Sequence, residues 1–322
     1  MNNSRANYFF RLLGLSMLFI SSSCSWWDKG PPAFQIADRS LYASDLAIIA
    51  QAPRTHTDEN YQKVQDLCAS RFAELGYAVE RHDYGGGVNV IGTLPGTVRS
   101  DEVVIVSAHY DTIVNSNGAD DDASGVAAVL ESARLLSTGK HERKLIVACW
   151  DQEEPALTGS YIYANKAKEN KTQIQVAYIF DEIGYVSHQP NSQDFPTGFD
   201  VLYPIEAAKV RANQSRGDFV LLVFDNQASQ WAHTISDASD QENLPVVQLE
   251  VDLNGRVPAQ LKNSDHQSFW SQGYPAIEIT DTAINRNPYQ HTDKDNISTL
   301  DVDFSIQVIS AVVASVQTAL NP

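Results

Sequence analysis

The segment VVIVSAHYDTIVNSNGADDDASGVAAVLESARLL, Val103 to Leu136, sets an apolar run, a polar glycine-containing turn and an Ala/Val/Leu-rich helical pattern in direct succession. The run Val103–Ala108 is almost continuously apolar and rich in β-branched residues, as a strand covered on both faces must be. From Ser124 to Ser137 the apolar residues recur at helical spacing, which predicts a helix. A buried strand feeding a helix is the unit of an α/β fold. Between the two stand Asp120, Asp121 and Asp122. Adjacent carboxylates repel one another and a helix start needs only one as a cap, so the other two require a further reason.

Strand and helix signals alternate along the rest of the chain. Helices are expected at Leu41–Ala50, Glu59–Leu75, Leu157–Lys168, Ala228–Ser239, His266–Ser271 and Val302–Leu320. Strands are expected at Tyr77–Asp83, Val88–Leu94, Leu145–Trp150, Ile174–Phe180, Phe219–Phe224, Val246–Val251 and Ala276–Thr280. Alternation of this kind predicts a single α/β domain over residues 41–322 with a mostly parallel sheet, interrupted by a loop-rich insertion at 188–217 that is too long for a plain connection.

The 322 residues carry 40 acidic against 23 basic side chains, a formal charge of −17, and no Lys/Arg block, which argues against nucleic acid as a partner and favours cations. At the N-terminus, Arg5 and Arg11 precede and open a short apolar run, Leu12–Ile20, too short to span a bilayer, and SSSC follows, ending at Cys24. Residues 1–24 therefore read as an export signal, and small residues before a cysteine resemble a bacterial lipobox, although Ser21 stands where Leu is usual. The expectation is a lipid anchor at Cys24, a Pro-rich tether over 25–40, and a periplasmic or outer-membrane-associated lipoprotein, with plain secretion as the alternative. Cys68 falls in a helical pattern and Cys149 in an apolar strand, so both are expected as buried free thiols.

Three core strands run straight into donor groups: VVIVSA into His109-Tyr110-Asp111, LIVACW into Asp151-Gln152-Glu153-Glu154, and IQVAYIF into Asp181-Glu182. Open α/β sheets place their sites beyond the carboxyl ends of the strands, and the Asp triplet reaches that same edge. His with Asp/Glu and no thiolate suits zinc, less often manganese or cobalt, in a catalytic site. The surplus of carboxylates over one ion's needs suits two ions sharing one of them, with one acid left over as a base.

HYD, NGADDDASG, DQEE, FDEIG, NSDHQSFWSQGYPA and NPYQHTDKDN occur in an order that resembles the co-catalytic zinc exopeptidases, the M28 metallopeptidases: bacterial aminopeptidases and glutamate carboxypeptidases, related to glutaminyl cyclases. The resemblance implies a three-layer α/β/α sandwich with a mixed, mostly parallel sheet, two zinc ions per chain and peptide substrates. It implies Asp121 as the bridging carboxylate, His109 and Asp181 completing one zinc site, and Glu154 and His291 the other. Glu153 becomes the general base for hydrolysis by a hydroxide shared between the zincs, Asp111 orients His109, Asp120 serves as an outer acceptor, and Asp265 and His266 brace the site or merely cap a helix. Asp122 is left to cap the helix after the triplet.

Several positions depart from the family pattern. Ala156 stands where Gly is frequent, and Glu182 follows the ligand where an apolar residue is common; strand alternation predicts that it turns outward. No Tyr occurs in Val257–Asn263 to polarise the substrate carbonyl, which leaves that task to the zinc ions or to another donor, for which Tyr185 and Tyr289 are candidates. Those two tyrosines with Phe269 and Trp270 are expected to line an apolar specificity pocket. An aminopeptidase is the leading expectation. A carboxypeptidase needs a cation for the substrate carboxylate, for which Arg286 is the candidate. A glutaminyl cyclase-like acyltransferase and a non-catalytic homologue remain as alternatives.

Overall fold

Odd and even residues of the strand that opens the Asp-rich segment face opposite cores: Val103 and Ile105 pack into one apolar cluster, Val104, Val106 and Ala108 into the other. The computed structural model describes residues 34–254 and 257–322. The signal segment, Cys24 and most of the tether lie outside them. Within residues 34–40, read as the end of the tether, Phe34 and Ala37 already pack on the core, and the Ala37 N–H donates to Ser310 Oγ at 3.0 Å.

The elements are α1 (Arg39–Ile49), α2 (Glu59–Glu74), β1 (Ala78–Asp83), β2 (Val88–Leu94), β3 (Arg99–His109), α3 (Gly125–Leu136), β4 (Arg143–Trp150), α4 (Glu153–Ala156), α5 (Thr158–Glu169) and β5 (Gln173–Phe180). Then follow α6 (Phe199–Leu202), α7 (Pro204–Ala212), β6 (Val220–Asp225), α8 (Ser229–Ser239), β7 (Val246–Val251), α9 (His266–Ser271), β8 (Ala276–Thr280) and α10 (Val302–Leu320). The insertion expected to be loop-rich thus holds two helices, and its Phe195, Phe199, Tyr203 and Val210 pack on the core.

The sheet has eight strands in the order β1-β2-β4-β3-β5-β8-β6-β7. Its centre, β4-β3-β5-β8, is parallel, β6 and β7 are parallel to each other, and antiparallel pairings join β1 to β2, β2 to β4 and β8 to β6. Helices α1, α2, α3, α8 and α10 cover one face and α5, α7 and α9 the other, which gives the expected α/β/α sandwich. Because β3, β4 and β5 run the same way, their carboxyl ends open at one edge. Cys68 and Cys149 are free and buried between α2 and β4, the Cys149 thiol donating to Cys68 at 2.8 Å.

Candidate metal centre

The last residue of β3 is His109, and the residue after β5 is Asp181. Beyond β4, Gln152 takes a left-handed conformation (φ 56°) and Leu157 another (φ 55°), so the short turn α4 lifts Glu153 and Glu154 towards the strand ends. Asp111 pins that turn: its carboxylate accepts the N–H of Glu153 at 3.0 Å and of Glu154 at 3.3 Å. The same carboxylate lies 3.5 Å from His109 Nδ1, so it faces both the imidazole and the Glu pair.

The triplet divides its work. Asp122 accepts Gly125 N–H at the start of α3 and also reaches the N–H groups of His109 and Glu182, tying two strand ends to the helix. Asp120 accepts from Gly184 N–H and Asn287 Nδ2 rather than from any metal-donor side chain. Asp121 turns into the site. Its Oδ1 stands 3.2 Å from His109 Nε2, and its Oδ2 stands 2.9 Å from His291 Nε2. His291 Nε2 is also 3.0 Å from Glu154 Oε2, and Asp181 Oδ1 is 3.8 Å from His109 Nε2.

Two donor groups result, His109–Asp121–Asp181 and Asp121–Glu154–His291, each with its ligand atoms within 4.8 Å of one another. They share Asp121 through different oxygens. The donors are imidazole nitrogens and carboxylate oxygens without a thiolate, a set that fits zinc. Glu153 belongs to neither group and stays 4.0 Å from His109 Nε2.

Electrostatics bear the same mark. Burial pushes Glu153 well above the ordinary carboxylate range, with Asp181, Asp265 and Asp121 adding to the shift. Burial also pushes Asp121 up, but His109 and His291 outweigh it and hold the carboxylate low. The Asp121 and Glu154 carboxylates push His291 up to about 10. Acids crowded at this density need positive charge beside them to stay ionised.

Of the outlying candidates, Asp265 is buried with both carboxylate oxygens lacking a hydrogen-bond partner, and it makes no side-chain cap on α9. His266 is buried, gives its Nε2 hydrogen to Leu261 O at 3.1 Å, and is pushed down to about 4 by burial, so it stays neutral.

Other expectations fail. Glu182 does not turn outward: it is 2% exposed, accepts Gln290 Nε2 with Oε1, and sits beside Asp120 and Asp281 in a third acidic cluster. Its φ of 59° ends the strand geometry on which the alternation argument relied. Phe269 is core, packed near Trp150 and Tyr163, and Trp270 donates Nε1 to Asp225 and Ala276 O. Tyr185 and Tyr289 pair edge-on with each other at 6.1 Å and do not line the metal cavity. Arg286 is buried, its guanidinium 4.5 Å over the Phe219 ring and its Nε on Gln193, so it is not presented to a substrate at the metal centre.

Two residues that hold the triplet in place went unread. Arg54 is completely buried and donates to the carbonyls of Tyr110, Asn117 and Gly118, which fixes the loop before the triplet. Asp295 accepts the N–H groups of Asp120 and Asp121. An isolated arginine in a loop gives no periodic signal, whereas Asp295 lies in the HTDKDN segment that already contained His291.

The centre lies in a cavity of about 290 Å³, and an apolar cavity of about 160 Å³ adjoins it. Phe195, Phe199, Val210, Phe219, Leu221 and Val247 are among the walls of the second, where the 188–217 insertion replaces the expected aromatic set.

A mixed α/β sheet with two His/carboxylate donor groups at its carboxyl edge is the arrangement of a metallo-exopeptidase. The chain belongs to peptidase family M28, whose family model matches residues 89–316. It is 30% identical to YfbL of Escherichia coli K12 over 226 residues, 66% of this chain and 65% of that protein. It is 28% identical to leucine aminopeptidase 1 of Trichophyton rubrum over 250 residues, 73% of this chain and 58% of that protein. The matches thus span less than two thirds of these relatives' own lengths. Among solved structures, the LapA aminopeptidase of Legionella pneumophila shares the fold with a TM-score of 0.67 at 18% identity, covering 88% of this chain and 73% of that one. A Porphyromonas gingivalis glutaminyl cyclase shares it with a TM-score of 0.63 at 15% identity, covering 88% and 99%. Fold alone therefore does not choose between peptidase and cyclase.

Proposed function

We propose that this protein is a two-zinc aminopeptidase that removes N-terminal residues from peptides. The observation that carries the reading is the carboxylate of Asp121 set between two donor groups, with Glu153 beside them and bound to neither. Zinc ions held by these groups would polarise the scissile carbonyl and acidify a water molecule. Glu153, buried and anchored through its N–H on Asp111, takes the water proton and passes it to the leaving amine. Among the described residues, the metal cavity is walled by His109, His291, neutral groups and carboxylates, with no Lys or Arg. Such walls give carboxylates to a free α-amino group and no Lys or Arg to an α-carboxylate, which favours an aminopeptidase over a carboxypeptidase.

A panel of peptides with free, acetylated and glutaminyl N-termini tests this. Zinc-dependent release of the first residue from free N-termini only is expected. Cyclisation of N-terminal glutamine by a protein holding a single ion supports the acyltransferase instead, and release from the C-terminus supports a carboxypeptidase. Export and lipidation rest on the sequence of residues 1–24, and Cys24→Ser should release the protein from membranes or leave it unprocessed.

A further inference from the structure

Strand β8 reads AIEIT, a single charge in an otherwise apolar strand. Ile277 and Ile279 face one core, so Ala276, Glu278 and Thr280 face the other. Register places Glu278 beside Val223 of β6 and, beyond it, Leu249 of β7; Thr280 stands beside Leu221 and Val247 in the next row. These rows are the floor of the apolar cavity that adjoins the metal centre.

Glu278 is 7% exposed, and the basic group beside its carboxylate is the His266 imidazole, with no Lys or Arg among the described residues in ion-pair reach. That His266 Nε2, at 3.5 Å, spends its hydrogen on Leu261 O. The Glu278 side chain keeps 9% of its surface, and that surface lines the cavity, so a carboxylate largely withdrawn from water is open to what enters there. Among the described residues that line this cavity there is no Lys or Arg; the charged members are Glu278 and, at the exposed rim, Asp194. Glu278 and Thr280 line the metal cavity as well, so the two cavities meet along this strand, with Thr280 nearer the carboxyl edge and Glu278 deeper.

We infer that the apolar cavity receives the side chain of the substrate's first residue and that Glu278 makes it select a cationic one, lysine or arginine. Such side chains carry an aliphatic stem and a charged head, and this cavity offers apolar walls with one unpaired carboxylate in the floor. The stem packs among Phe219, Leu221 and Val247, and the ammonium or guanidinium group pairs with Glu278. A neutral apolar side chain fills the same walls but leaves the carboxylate buried and unpaired.

The inference rests on the aminopeptidase reading, and the test separates the two. Wild-type protein is assayed on peptides beginning with lysine, arginine, leucine and norleucine, the last a near match to the lysine stem without its charge. Lysine and arginine are expected to exceed norleucine in kcat/KM by roughly 10- to 100-fold, the worth of a hydrogen-bonded charge pair. Norleucine equal to or better than lysine on the wild type overturns the inference, whatever any variant does. In Glu278→Gln the lysine-to-leucine ratio should fall by a similar factor, and Glu278→Asp should fall less. An equal loss on every substrate assigns Glu278 to the α-amino group or to the fold and overturns the inference while leaving the aminopeptidase intact. If no free N-terminus is processed by the zinc-loaded wild type, the aminopeptidase reading fails and this inference falls with it.

Discussion

His291 Nε2 lies 2.9 Å from Asp121 Oδ2 on a side chain that is 48% exposed, whereas His109, facing the other oxygen of the same carboxylate, is 2% exposed. One bridging acid thus joins a sheltered donor group to an open one. The sheltered group draws His109 and Asp181 from the rigid ends of β3 and β5, while the open group depends on a loop. The open ion should therefore leave first on stepwise chelation. His291→Ala should retain about one zinc per chain by elemental analysis, since three protein ligands remain the usual minimum for a tight site. Loss of both ions, or retention of both, would show that the two groups do not act as separate sites.

Glu153 and Glu154 are adjacent on α4, yet only Glu154 contacts His291. Their amides should fail differently. Glu153→Gln keeps the hydrogen bond of its N–H to Asp111 and should keep both metals, but it has no carboxylate to take the water proton. Its kcat should fall by roughly 10²–10⁴, the usual share of general-base catalysis. Glu154→Gln should lose affinity for the open ion and recover in part with excess zinc. A Glu153→Gln protein that is poor in metal would exchange the two assignments.

The parallel sheet made much of this site legible. Strands that run the same way must end at the same edge, so apolar runs followed by His109, by Glu153 and Glu154, and by Asp181 could be assembled without knowing a single contact. Alternation failed at Glu182 because the backbone there has already left the strand, with φ at 59°. Aromatic residues misled for a different reason. Phe269 and Trp270 lie on a helix of six residues that docks on the core, and composition does not distinguish a pocket wall from packing. The charge in AIEIT was visible but went unread, because a lone Glu in a strand gains meaning only once both faces of that strand are known to be covered.

Arg54 carries a prediction about architecture. It is fully buried, and its guanidinium satisfies carbonyls of Tyr110, Asn117 and Gly118 at 2.6–2.9 Å, while its own N–H bonds to Thr112 Oγ1. Arg54→Met keeps much of the volume but leaves the Tyr110 and Asn117 carbonyls unpaired, while Gly118 O keeps the Ala123 N–H, at a cost of about 3 kcal/mol. Urea unfolding should show that loss. Zinc affinity should weaken with it, because the loop held by Arg54 presents Asp121. Unchanged stability would mean that water replaces the guanidinium.

The buried acids set a pH dependence whose sign reverses with metal. Burial pushes Asp265 from 3.8 up to about 7 and does the same to Asp295. A group with a raised folded pKa holds more protons folded than unfolded, so its contribution is full below 3.8 and is lost as pH climbs through about 7. His291 adds the same sign over a higher window, from 6.5 to about 10, through Asp121 and Glu154. The chelated protein should therefore melt at lower temperature as pH rises between about 5 and 9. Zinc loading would take the place of the His291 proton and set positive charge near the buried acids, and its ligands must be deprotonated, so binding strengthens with pH and the loaded protein should hold or gain stability over the same range. Calorimetry of both forms across that range checks the crossing. Asp265→Asn in the chelated protein should flatten the part of the slope below about 7, because an amide supplies the neutral group without titrating. A chelated protein that gains stability as pH rises through this window would mean that the carboxylates are compensated by protein groups alone and that the site is not built around cations.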